Sequence, residues 1–342
     1  MSTGTTKAAV RHSVRVWRGP LRGVTWLVWR QHRWAARVLA VLVIVFAAGA
    51  VLLRARMAGY IDSHHIAGCP EISRLPACAG TQDAVIAFRA GYGQVIDLIT
   101  TVMLLLPAAT GMFLGAPLLA RELENGTDRL AWTQSVSPLR WFAAKCAVPL
   151  ALVLTTAPVL SALVTWCLRP AADEVSGAYW YQYGTFAALG PVPVAYCLLA
   201  LVTGVLAGLV LRRTVPAVAV TAVLTGLWSY VFAAVRPRLL DTVTTRTASG
   251  GTDASDLPDD SWYRGGGLLT ASGERLPEES CPAGRGYAAC LREHRVTGAY
   301  LDSHPVAHHW PLAWAESALV AGAAVVLALM LLLVASRVLR RR

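Results

Sequence analysis

Residues 98–120 read LITTVMLLLPAATGMFLGAPLLA, a run of 23 residues without one charged side chain. A helix that crosses the hydrocarbon core of a bilayer needs about 20 mostly apolar residues. Helices in soluble cores rarely stay uncharged that long. Comparable runs occupy 34–53, 146–168, 186–211, 214–235 and 317–336. Only Arg37 interrupts the first of them. It lies near the start of its run, where its stem stays in the apolar layer and its head reaches the headgroups. The reading is an all-α membrane protein with six transmembrane helices. A cleaved leader is a poorer reading of the first run. More than thirty residues precede it, and it exceeds the roughly 7–15 apolar residues of a signal peptide.

Composition agrees. Hydrophobic residues make up 55% of the 342 and charged residues only 15%, with a mean hydropathy of +0.49. A soluble domain carries about a quarter charged residues, and a disordered chain needs low hydrophobicity. The net charge is still +11, from 31 Lys+Arg against 20 Asp+Glu. Its distribution sets the orientation, because short cytoplasmic connections collect Lys and Arg. Eighteen fall in the segment up to 37, the connection 121–145, Arg212/Arg213 and the C-terminal tail. The short connections on the other side hold five: Arg54, Arg56, Arg74, Arg89 and Arg169. Both termini are therefore expected in the cytoplasm of a multi-pass plasma-membrane protein. The segment 236–311 is too long for the rule to count, and its acids outnumber its arginines.

The chain then divides into a disordered cytoplasmic tail (1–20), an interface helix with the first five transmembrane helices (21–235), an extracytoplasmic loop or cap (236–311), and the sixth helix with a basic tail (312–342). In the interface helix, Trp26, Arg30, Arg33 and Arg37 stand at i, i+4, i+7 and i+11 and share one face, with Trp29 beside them. Such a Trp/Arg-rich amphipathic helix ahead of a span lies in the cytoplasmic interface. Of seven cysteines, Cys146, Cys167 and Cys197 fall inside runs and read as packing residues. Cys69 and Cys78, and Cys281 and Cys290, are each nine apart on the oxidising side. That allows two local disulfides. Free thiols in loops are the other reading, since sequence does not fix connectivity.

Several chemistries have no footing. No G-x-x-x-x-G-K-[ST] phosphate loop, H-E-x-x-H helix or G-x-S-x-G elbow occurs. The chain is read as non-catalytic, without a cofactor of its own. His304 and His308 are spaced four apart, but Pro305 intervenes and no carboxylate or cysteine completes a set. No metal site is assigned. Asp97 and Glu316 are the acids of the spans, each directly preceding its uncharged run near an outer end. Intramembrane acids mark function, yet two isolated ones do not make a proton relay. No nucleic-acid partner is expected.

The most charged inner connection is 120–145, ARELENGTDRLAWTQSVSPLRWFAAK. Residues 121–124 extend the second span past the membrane, and Gly126 ends that helix. Thr127 caps a second short helix, with Asp128 at its positive start. Pro138 suits the first turn of the next helix. The product is a short helix exposed to the cytosol, able to take force from a soluble partner.

This connection resembles that of the permease subunits of type-2 ABC transporters, an actinobacterial group in particular. The similarity runs through TWLVWRQHR (25–33), GAPLLARELE (115–124) into Gly126-Thr127, RLAWTQS (129–135), Arg140-Trp141, Lys145, and the aromatic entry from Trp310 to Trp314. The resemblance implies a coupling region formed here by Arg121, Glu122, Glu124, Gly126, Thr127 and Arg129. It would dock on a separate ATP-binding subunit, with the carboxylates facing basic residues of that partner. It also implies a permease homodimer with the path where spans one, two and five meet, and ATP-Mg held by the partner. The function expected is export driven by that partner. The alternatives are a receptor or assembly protein that binds a ligand through its outer loop, and a membrane enzyme using the outer histidines.

Overall fold

The computed structural model describes residues 24–69, 76–126, 138–171, 173–247, 260–282, 284 and 286–340. Helix α1 (Val24–His64) runs through the expected interface helix and the first span without a break. A disulfide between Cys69 and Cys78 closes the connection to α2 (Gln82–Ala109). A π-helical segment, Thr110–Gly115, follows at once, then α3 (Ala116–Asn125). The three form one rod of 44 residues, roughly 66 Å at 1.5 Å per residue. Pro107 deprives this rod of one backbone donor, and the wider π turn begins three residues later, as such bulges do inside α-helices.

α4 (Pro138–Leu168) is the third span. Two short helices, α5 (Asp173–Ser176) and α6 (Tyr183–Ala188), lead to α7 (Val192–Leu211) and α8 (Thr214–Val235). The uncharged run 186–211 is thus two helices. Gly190 breaks it at φ +61°, and a side chain there would meet the Trp310 ring at 2.7 Å. The sixth span is α10 (His309–Arg340), eight residues longer at its start than the run 317–336.

Between α8 and α10 lies a correction to the wholly helical reading. Strands β1 (Val243–Thr247), β2 (Trp262–Thr270), β3 (Arg275–Pro277) and β4 (Val296–His304) form an antiparallel sheet ordered β1-β4-β2-β3. A short helix, α9 (Tyr287–Glu293), precedes β4, and a disulfide joins Cys281 to Cys290. The strands are short, and β2 is interrupted by three consecutive glycines, Gly265–Gly267. A search for long apolar runs passes over them. Leu268, Ala299 and Leu301 supply the buried side of the sheet.

Burial is uneven among the spans. The most apolar window of α7 is 67% buried, against 6% in α1 and 11% in α8. α7 is the hub. Its Gly204 and Gly208 pack against Gly111 and Ala116 so closely that a Cβ at either would lie 2.4 Å from a backbone carbonyl oxygen. Small residues on both sides let two backbones approach, which is how helices associate where lipid removes the hydrophobic driving force.

Candidate functional site

The end of the bundle where α1 begins and α10 ends is built around the end of α3. Gly126 closes that helix in the left-handed region, φ 67° and ψ 14°, and its N–H donates to the Glu122 carbonyl. Arg121 is exposed. Glu122 pairs with Lys145 on the first turns of α4. Lys145 is buried, and its ammonium lies 5.3 Å from the Trp141 ring centroid. Glu124 reaches the start of α8, accepting from Thr214 N–H at 2.9 Å and from Thr214 Oγ1 at 2.8 Å. A carboxylate there satisfies a donor that the first helical turn leaves free and complements the positive end of the helix. Both carboxylates expected to face a partner are therefore engaged within the chain, tying α3 to α4 and to α8. Thr127, Asp128 and Arg129 lie outside the described residues. So does the connection up to Pro138. Trp26, Trp29 and Arg30 fall in the first turns of α1, where only the backbone is described, and Arg33 is exposed.

The opposite end is tied differently. Glu316, near the start of α10, is fully buried and meets Arg236 at the end of α8 in a two-point contact, Nε to Oε2 at 2.5 Å and the second guanidinium nitrogen to Oε1 at 3.1 Å. The hydroxyl of Tyr196, on the second turn of α7, donates to Oε1 at 2.8 Å. The guanidinium carbon sits 3.7 Å from the centroid of the Phe186 ring. Three spans and the short α6 thus converge on one carboxylate. A buried charge persists only when paired and hydrogen-bonded, and here every charge has a partner. Asp97, the other acid of the spans, is exposed on α2.

Above this clasp the sheet meets the bundle through aromatic and imidazole rings. Trp180 Nε1 donates to the Asp260 carbonyl at 2.7 Å, and its ring stacks on His309 at 5.5 Å. Trp262 lies 5.4 Å from His304. His304 is fully buried. Its Nε2–H donates to the Pro237 carbonyl at 3.2 Å, so its Nδ1 accepts from His308 Nδ1 at 3.0 Å. Burial holds the His304 pKa below its usual value; the Pro237 bond opposes this, and nearby His308 and Arg264 reinforce it. Cys281, Cys290 and His294 also gather at one point. The two sulfurs are joined as a cystine there and present no thiolate.

Arg236, Tyr196 and Lys145 carry the polar contacts that sequence reading missed. The available signal was charge at span ends: Arg236 closes an uncharged run and Glu316 opens the next one, so opposite signs face each other at the same end.

Among the described residues, six long apolar helices around one buried hub define a multi-pass membrane protein. The family model described as ABC-2 membrane transporter related matches residues 40–236, more than half of the chain, and the chain belongs to that family. The matched segment covers α1 from Ala40 to the end of α8, including the Glu122 and Glu124 contacts, and stops at Arg236, ahead of the sheet. No characterised protein and no solved structure matches. Membership makes the chain an ABC transporter permease; subunits of this family are typically non-catalytic, and the family implies an ATP-binding partner.

Proposed function

We propose that this permease exports its substrate from the cell as one half of a homodimer in the plasma membrane, powered by a separate ATP-binding subunit docked at the termini end. The observation that carries the reading is the rod Gln82–Asn125. At roughly 66 Å it exceeds the full thickness of a bilayer, about 40–45 Å with its headgroups. Its end stands clear of the membrane as a lever. Force applied at 121–130 passes through the glycine crossing into α7 and through Glu124 into α8. The eighteen basic residues on this side support a cytoplasmic position for the lever, where ATP is available. α1 and α8, the least buried spans, leave broad apolar faces for the second copy and for the path between them.

In this reading Glu122 and Glu124 brace the lever. The partner is met by Arg121 and the residues that follow Gly126. The chain itself makes no covalent bond.

The test is reconstitution. The permease is purified with the ATP-binding subunit that accompanies it and placed in vesicles. The expected result is ATP hydrolysis that depends on the permease and transport that stops when the ATP-binding subunit is left out. Transport by the permease alone, or hydrolysis indifferent to its presence, overturns the reading.

A further inference from the structure

A cavity of about 1220 Å³ opens sideways between α4, α7 and α10, with Ile96 of α2 at its back. We propose that it holds one zwitterionic aminophospholipid taken from the surrounding leaflet. The inference rests on membrane embedding alone, so it stands or falls separately from ATP-driven transport.

The groove is graded. At its rim stand Arg169, one residue past the end of α4, and Asp260, on the turn before β2. One rim charge suits a phosphate and the other an ammonium, so a headgroup carrying both matches the pair better than a purely anionic one. Trp166, Trp310 and Trp314 also line it, each more than 40% exposed. Indoles in such positions mark the headgroup level. Below them the walls are mostly Ala, Leu, Val and Pro with a few Ser and Thr, and the groove reaches Pro158, about 16 Å down α4 from Arg169. That depth passes from the headgroups into hydrocarbon, and the side opening lets acyl tails continue into the bilayer.

The wall hydroxyls are engaged within the protein or sealed from the groove: Ser161 donates to the Gly190 carbonyl, Thr165 accepts from Gly190 N–H at 3.1 Å, and the Ser317 oxygen is buried out of reach of a ligand. Below its charged rim the groove therefore meets a ligand with apolar surface, as acyl chains require.

Native mass spectrometry of the full chain, released from nanodiscs of equal phosphatidylethanolamine and phosphatidylglycerol, tests this. The expected result is one phosphatidylethanolamine retained per chain, several-fold over phosphatidylglycerol. Ala321→Trp, which fills the floor, should release it, and Val223→Trp on the exposed face of α8 should not. Arg169→Gln and Asp260→Asn, both at the rim, should each erase the headgroup preference, and they keep the proposal testable if the floor variant misfolds. Equal retention by Ala321→Trp, or enrichment of phosphatidylglycerol in the unaltered chain, overturns it. So does a shift from dimer to monomer in Ala321→Trp without lipid loss, which would mean that a second copy covers the groove.

Discussion

The two ends of the bundle both hang on glutamates, and they use them in opposite ways. At the sheet end Glu316 is sealed from solvent and saturated by Arg236 and Tyr196. At the termini end Glu124 is exposed and holds α8 by two bonds to a single threonine. A sealed ion pair opens only at the cost of a stranded charge, whereas an exposed carboxylate can leave its partner for water. The first resists opening and the second can let go. That asymmetry suits the one-sided drive proposed above.

The largest expected effect breaks the sealed end. Arg236→Met strands Glu316 and should cost about 3–5 kcal/mol, as removal of one partner of a buried pair does. Thermal melting in detergent measures it. Replacing both residues, Arg236→Met with Glu316→Leu, should recover most of the loss, because a well-packed apolar pair is often as stable as a buried ionic one. A double variant no better than the single one would mean that the clasp holds the spans by more than its charges.

The next effect lies midway between the ends. Gly204→Val pushes a side chain into the Gly111 carbonyl, 2.4 Å from its Cβ position. Overpacking of this kind should cost about 1–3 kcal/mol and should uncouple the lever from the hub. Stimulated ATP hydrolysis should then fall more steeply than melting temperature, whereas Gly322→Val on α10, where nothing lies within 4 Å, should change neither.

A smaller effect sharpens the contrast at the exposed end. Glu124→Gln keeps the shape and removes the charge. Melting should hardly move, because water replaces what is lost at an exposed site, while transport should drop several-fold. Loss of stability comparable to that of Arg236→Met would erase the distinction between the ends.

The smallest effect is one of pH at the sheet. His304 has a folded pKa below its unfolded value of about 6.5. The unfolded state therefore binds more protons once pH falls below about 6.5, and the sheet loses stability from there downward until the folded pKa is passed. Protection factors of the β4 amides, with exchange corrected for its intrinsic pH dependence, should fall on acidification through this window, and the fall should shrink in His304→Gln. The rim salt bridge Arg275–Asp302, half-exposed on the arginine side, should contribute little to the change.

What the sequence made legible follows from the physics of each part. The six spans are strong signals, since lipid demands about 20 apolar residues in a row. The end of α3 at Gly126 and the start of α4 at Pro138 were readable from the backbone preferences of glycine and proline. The sheet was not, because strands of three to nine residues, one of them carrying a glycine triplet, show no long periodicity. Glu316 stood out as an acid beside an apolar run, but its partner lies 80 residues away, and one sequence does not reveal such pairs. Glu122 and Glu124 looked like surface charges for a partner. That Lys145 and Thr214 had already taken them depends on how α3, α4 and α8 pack.

Site-specific photocrosslinking tests the central claim most directly. A photoreactive residue at Asn125, exposed beside Gly126, should capture the ATP-binding subunit in intact cells, and one at Tyr263 on the sheet should not. Capture of that subunit from Tyr263, or labelling of position 125 by a reagent that does not cross the membrane, would contradict the account.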